Sequence, residues 1–299
     1  FRDGRIGEAV CPLPFVLGHE PAGLVAKTGP GVRHIREGSR AVLEPSSPCG
    51  RCRYCREGRQ NICPNVRFLG TPPVPGAFRE YIPLNADAVY PVGENFTMDD
   101  AALIEPLAVG LYAVNLSRIL AGDRVAVFGC GPIGLVTIAC ARTSGAARIY
   151  ASEPLPSRRS MAAKMGADVV IDPAEEDPVE RIVEETSGGA DISYEACGEP
   201  ETVTHSIESL RPGGRMMMIG IPPEDTLCFE PHRARKKEVD LQIVRRSNHA
   251  VERSIRMLES GRIHIRELVT HRYPLDRVQE AIETVMGYKD GVIKAVVEL

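Results

Sequence analysis

Four of the nine cysteines fall in one short stretch, Cys49, Cys52, Cys55 and Cys63, spaced Cys-x2-Cys-x2-Cys-x7-Cys. Four soft thiolates on a tight loop fill the tetrahedral shell of Zn²⁺ and leave no open position, the pattern of a structural metal. Disulfides fit poorly, since cysteines three residues apart make strained partners and the total is odd. A zinc with four thiolates carries a formal charge of about −2, and Arg51, Arg53, Arg56 and Arg59, interleaved with the ligands, offset it. Basic residues around zinc also fit a nucleic-acid finger, but no recognition helix with paired histidines follows.

A second constellation is Gly129-x-Gly131-x-x-Gly134, with Pro132 and Ile133 inside it. It follows the apolar run Val125-Ala126-Val127-Phe128 and opens a helical stretch, the context in which this spacing binds a dinucleotide. The first glycine allows a tight turn, the second lets the backbone approach a pyrophosphate, and the third lets helix and strand pack closely. The helix N-terminus offers free N–H groups and partial positive charge to phosphate. Glu153, 19 positions after Gly134, ends the next predicted strand. A carboxylate there accepts from both ribose hydroxyls and repels a 2′-phosphate, which favours NAD over NADP. Arg158 lies close enough in sequence to reach the adenosine end, and it also suits NADP. A third feature, Leu17-Gly18-His19-Glu20, sets an imidazole beside a carboxylate.

These groups need elements to position them. The first hundred residues are rich in Pro and Gly, with short β-type runs at Gly23–Ala26, Arg40–Leu43 and Ala88–Tyr90. Turn signals such as Gly29-Pro30-Gly31 and Pro72-Pro73 separate them, which predicts an irregular all-β module. From about 120 onward strands and helices alternate: strands at Val125–Phe128, Arg148–Ser152, Asp168–Ile171, Ile192–Ala196, Arg215–Ile221 and Leu241–Arg245, and helices to Thr143 and over Ser157–Met165, Pro178–Thr186 and Glu201–Leu210. This alternation predicts a doubly wound parallel sheet. Two amphipathic helices follow 248, the second carrying Leu275, Val278, Ile282 and Val285 at helical spacing, and Val292–Val297 reads as a closing strand.

The 299 residues carry 36 Lys and Arg against 40 Asp and Glu, a net charge of −4, with 43% hydrophobic residues. Such a chain buries an ordinary core and lacks the basic excess of a nucleic-acid binder. Its apolar stretches fall short of the ~20 residues a membrane span needs, and no signal peptide opens it. Residue 1 is Phe, and Phe1-Arg2-Asp3-Gly4 begins mid-phrase, which points to a start that is not represented.

Taken together, the four-cysteine loop, the glycine fingerprint, Gly18-His19-Glu20 and Ala102-Leu103-Ile104-Glu105-Pro106-Leu107 resemble the zinc-dependent medium-chain dehydrogenase/reductase family, in its sorbitol (polyol) dehydrogenase branch. Further matches are Gly4-Arg5-Ile6-Gly7, Cys63-Pro64 through Thr71-Pro72-Pro73, and Leu268-Val269-Thr270-His271-Arg272. The resemblance implies an α/β protein: a Rossmann NAD-binding domain over 109–246, and a mainly β, GroES-like catalytic domain over 1–108 and 247–299.

It implies a catalytic zinc held by His19, Glu20 and Glu105, beside the structural zinc of the cysteine loop, with NAD as hydride acceptor. Cys197, Gly198, Ile219 and Gly220 would lie near the nicotinamide, and Arg245 and Asn248 would face the substrate, a polyol or secondary alcohol oxidised to a ketone. Where the branch carries an aromatic between those two, this chain has Arg246. The family's Cys-Gly-Ser-Asp-type zinc ligand falls further upstream than the 18 residues preceding His19. Either an N-terminal segment is missing, or the chain is a degenerate NAD- and zinc-binding paralogue. A butanediol or sugar-alcohol phosphate dehydrogenase is a further alternative. The resemblance also implies a cytoplasmic homodimer or homotetramer joined through the last strands of the nucleotide sheets, with no nucleic-acid or membrane partner.

Overall fold

The computed structural model describes residues 4–6, 9–223 and 226–299. Phe1, Arg2, Asp3 and Gly7, parts of the opening phrases noted above, lie outside the described residues. The chain divides into two compact units, one of Phe1–Ala108, Arg246–Gly261 and Ile265–Leu299, the other of Val109–Arg245 with Arg262–His264.

The second unit is built on a six-stranded sheet whose spatial order is Val169–Ile171, Arg148–Ser152, Arg124–Phe128, Ala190–Glu195, Leu210–Met218 and Asp240–Ile243. Every pairing is parallel. The order reverses between Arg124–Phe128 and Ala190–Glu195, so this is a doubly wound sheet with its switch point there. The central strands are covered on both faces: Val125, Ala126, Val127 and Phe128 are buried, as their unbroken apolar run requires. The connecting helices Pro132–Thr143, Pro156–Met165, Pro178–Thr186 and Pro200–Glu208 all begin on proline. Proline's fixed φ suits a first turn, and its missing N–H costs nothing where no carbonyl precedes it. Asp177 caps its helix by accepting from Val179 N and Glu180 N. The helix Pro231–Lys237 buries no residue, and its run of basic side chains gave no periodic signal in the sequence.

The first unit holds a three-stranded antiparallel sheet, ordered Ala22–Leu24, Arg40–Leu43, Val89–Pro91. A short ladder pairs Ser46 with Phe68, and Val269–Pro274 runs parallel to Lys294–Glu298. Thr97 and Asp100 form a reciprocal cap that starts Met98–Ala102, and Ile104–Ser117 follows directly. That second helix is mostly apolar around its circumference, with Ile104, Leu107, Ala113 and Val114 fully buried, so it shows no clear amphipathic stripe. The division between units falls inside it, after Ala108.

One expectation needs correction. Of the series Leu275, Val278, Ile282 and Val285, the first two are half-buried and the last two exposed. Leu275 lies in a 3₁₀ turn before the helix Val278–Met286, Ile282 and Val285 are each 38% exposed, and the buried positions are Ala281 and Thr284. The smaller residues mark the side where the helix packs closely, and Thr284 accepts from the Tyr273 hydroxyl at 3.0 Å.

Candidate metal and nucleotide sites

The four thiols of the cysteine loop converge: their sulfurs lie within 4.8 Å of one another. Cys52 Sγ stands 3.5 Å from Cys55 Sγ and 3.8 Å from Cys63 Sγ. Tetrahedral Zn²⁺ with bonds of about 2.3 Å spaces its sulfurs by about 3.8 Å, so the loop is shaped for that ion. Local structure fixes the spacing. Cys52 is the N-cap of a one-turn helix, Arg53–Arg56, and Cys52 N donates to Cys49 Sγ while Cys49 N donates to Cys63 Sγ, both at 3.4 Å. Without metal the thiols differ widely. Backbone donors at Arg51 and Cys52 lower Cys49 to about 6, whereas burial raises Cys55 to about 12. The four sulfurs, two of them buried, make a closed and purely structural donor set.

The second cluster joins His19, Glu20 and Glu105, whose donor atoms also lie within 4.8 Å of one another. The Leu17–Gly18 backbone is pinned by Phe78 N donating to Leu17 O and Ala77 N to Gly18 O. Glu20 leads into the Ala22–Leu24 strand, and Glu105 sits in the first turn of Ile104–Ser117. His19 is exposed, Glu20 half-buried and Glu105 buried. Burial and then the neighbouring carboxylates Glu20 and Glu44 hold Glu105 well above the usual carboxyl range. Burial alone would raise Glu20 too, but the Lys294 ammonium bound to it outweighs that and keeps it below its usual value. The protein packed around His19 lowers its pKa, which favours the neutral imidazole a metal requires. One nitrogen and two carboxylates with an accessible face form an open, oxygen-rich donor set suited to a catalytic divalent zinc.

At the switch point, Gly129 takes φ +91° and the next helix starts at Pro132. A side chain at Gly134 would overlap the Gly129 carbonyl, so only glycine permits this approach of helix to strand. The first-turn N–H groups of Ile133 and Gly134 have no carbonyl one turn back, leaving them for an anion. Gly131 faces the Arg158 guanidinium, whose Nη1 lies 3.7 Å from where a Cβ would stand. Glu153 is buried at 3% exposure. Its Oε2 accepts from Cys130 N at 2.7 Å and its Oε1 from Leu155 N at 3.0 Å, so it ties the glycine loop to the end of the second strand. The cradle, the free amides and the carboxylate at the second strand fit a dinucleotide.

The remaining predicted residues divide. Cys197, Gly198, Ile219 and Gly220 gather at the ends of Ala190–Glu195 and Leu210–Met218, where Ile219 N and Gly220 N both donate to Glu195 O. Asn248 is committed elsewhere: its Nδ2 donates to Gly58 O at 2.8 Å and its Oδ1 accepts from Gln60 N at 3.2 Å, bracing the cysteine loop. Arg245 is exposed, two residues beyond the Asp240–Ile243 strand. Residues that sequence reasoning passed over also stand here. Lys294 pairs with Glu20. The Phe68 ring lies 5.2 Å from the His19 ring, and Arg246 covers Phe68 at 4.3 Å. Arg246 had drawn notice only as a departure from the family's aromatic.

Residues 132–260 match the family described as zinc-binding dehydrogenase, and residues 1–94 match the alcohol dehydrogenase GroES-like domain. Sorbitol dehydrogenase of Bacillus subtilis is 36% identical over 99% of this chain and 84% of its own length. That of Homo sapiens is 37% identical over 97% and 81%. The crystal structure of L-idonate 5-dehydrogenase from Escherichia coli superposes with TM-score 0.92 at 30% identity, covering 99% of this chain and 85% of that one. A doubly wound nucleotide sheet and a GroES-like zinc unit in one chain define the class, a zinc-binding oxidoreductase that uses a nicotinamide cofactor. The chain belongs to the zinc-dependent medium-chain dehydrogenase/reductase family and is sorbitol dehydrogenase-like. Among the described residues no helix is long and apolar enough to cross a membrane.

Proposed function

We propose that this enzyme oxidises a polyol or secondary alcohol to a ketone with NAD, at a catalytic zinc held by His19, with Glu20 a ligand or near-ligand and Glu105 beside the zinc and its water. The observation that carries the reading is the convergence of those three donor groups within 4.8 Å, separate from the closed cysteine site. Bound at these places, zinc would acidify the substrate hydroxyl and the nicotinamide would accept a hydride.

The chain's own groups do the rest. His19, neutral and exposed, offers a nitrogen, and the Lys294 ammonium keeps Glu20 ionised and oriented. Glu105 is held toward its protonated form by burial and by its neighbouring carboxylates in the metal-free protein, so it is poised to carry a proton at its carboxyl oxygen. Gly129, Gly131, Pro132, Ile133 and Gly134 cradle the pyrophosphate, Glu153 the adenosine ribose, and Arg158 the adenosine end. Cys197, Gly198, Ile219 and Gly220 border the nicotinamide. Arg245 remains the substrate-facing candidate, while Asn248, whose amide braces the cysteine loop, drops from that set.

The catalytic domain is 1–108 with 247–299, and the nucleotide domain 109–246. Four thiols kept for zinc fit a reducing cytoplasm. The edge strand Asp240–Ile243 exposes all four residues, Ile243 at 64%, which supports a homodimer or homotetramer joined there. A monomeric mass in light scattering would refute that assembly. The activity is tested by scanning polyols and secondary alcohols for NADH absorbance with the native-length, zinc-loaded protein. The proposal expects turnover of vicinal polyols, and turnover of none of these alcohols would refute it.

A further inference from the structure

Arg246 brings a permanent positive charge to the neighbourhood of the His19 cluster. Its guanidinium carbon lies 4.3 Å from the centre of the Phe68 ring, and that ring lies 5.2 Å from the His19 ring. The guanidinium is therefore no farther from the imidazole than those two separations laid end to end. All three residues belong to the same compact unit. Phe68 is held by its ladder with Ser46, and both it and Arg246 are half-buried. A guanidinium over an aromatic ring is oriented and sheds part of its water, which prepares it to take up an anion. The backbone does not account for the residue. Arg246 has φ +56°, a conformation that glycine adopts without strain and arginine does not. What Arg246 contributes is its side chain.

The charges around the cluster favour a further anion. Lys294 is matched by Glu20. Glu44 also lies in the field of Arg246, but burial pushes its carboxyl up, which weakens it as a counter-ion. A guanidinium carries five N–H donors in a planar fork and accommodates more than one acceptor. A neutral polyol needs no such charge, because neutral donors and acceptors satisfy its hydroxyls. A carboxylate or phosphate matches the fork bidentately. The hydroxyl to be oxidised belongs at the His19 cluster, so a group bound by Arg246 belongs to the far end of the same molecule.

We propose, resting on the dehydrogenase reading above, that the substrate is an acidic polyol with a carboxylate or phosphate at its far end, and that Arg246 on the Phe68 ring selects it. The carbinol carbon gives its hydride to NAD⁺ and the hydroxyl gives its proton to water, so the product is a ketone that keeps the anion.

The test compares kcat/KM of the zinc-loaded native-length protein on a set of hexitols and on the aldonates and hexitol phosphates of matching configuration. The better acidic form should exceed its neutral parent by at least about tenfold, and whether it is the carboxylate or the phosphate identifies the group. Arg246→Gln should bring that ratio down to about one, chiefly through KM for the acid, the scale of losing one charge-assisted bidentate contact. Arg246→Lys keeps the charge and should hold the ratio above that of Arg246→Gln. Calorimetric titration with the better acid reads the same loss without turnover. A neutral hexitol that turns over as well as its acidic forms, or a ratio that Arg246→Gln leaves unchanged, would overturn the inference while the dehydrogenase reading stands. Turnover of neither series would refute that reading, and the inference with it.

Discussion

The Lys294–Glu20 pair is the most consequential contact at the metal cluster, and its removal has a calculable effect. The ammonium is 15% and the carboxylate 27% exposed, so both are mostly withdrawn from water. Lys294→Met strands Glu20 without its counter-charge. Removing one partner of a buried pair costs about 3–5 kcal/mol, and the residual exposure of Glu20 argues for the lower end, about 3 kcal/mol. At about 2–4 °C per kcal/mol for a unit of this size, the melting temperature should fall by roughly 6–12 °C.

The pH dependence is more diagnostic. In the wild type Lys294 holds Glu20 below its ordinary 4.5, so the pair's contribution is present above that value and is lost as pH falls through the depressed one. In the variant burial is the main influence left, the folded value rises above 4.5, and an ionised Glu20 destabilises the fold at neutral pH. The gap between the two proteins should be widest near pH 7, narrow as the pH falls through the variant's raised value, and close only below 4.5, as the pH passes the wild type's depressed one. Calorimetry across pH, on protein stripped at the His19 cluster but retaining the cysteine-loop zinc, reads it directly. A gap under about 1 °C at neutral pH, unchanged on acidification, would refute the reasoning.

Two further outcomes follow from the geometry. Cys55→Ser should abolish tight zinc binding at the cysteine loop and lower the melting temperature by roughly 10 °C or more, because a structural zinc contributes its binding energy to the fold; elemental analysis and calorimetry check both. Gly134→Ala drives a methyl into the Gly129 carbonyl, so NADH affinity should fall at least about tenfold while zinc content is unchanged, as fluorescence titration and elemental analysis would report.

The sequence was most informative where chemistry is local. The cysteine spacing gave the metal loop because its ligands span 15 residues, and one helical turn plus a few N–H···S bonds set their distances. The glycine fingerprint was legible for the same reason, since strand, turn and helix are consecutive. Partners brought in by the fold were not legible. Lys294 meets Glu20 across 274 positions and Asn248 meets Gly58 across 190, and no pattern within either segment announces the contact. Arg246 was legible only as a departure from the family's aromatic, and nothing in its own segment sets it over Phe68. The helix Val278–Met286 misled because helical periodicity reports an apolar stripe without reporting which stripe is packed.

The central claim is that the His19 cluster holds the zinc on which dehydrogenation depends. It is tested most directly by following zinc content and the rate of NADH formation together, as a chelator strips the native-length enzyme. About two zinc per chain are expected at the start, with complete loss of turnover as the first leaves while the cysteine-loop zinc stays bound. Reloading that one zinc should restore the rate in wild type and fail in His19→Ala. Full activity in protein that retains one zinc per chain, or equal zinc content and rate in His19→Ala, would contradict it.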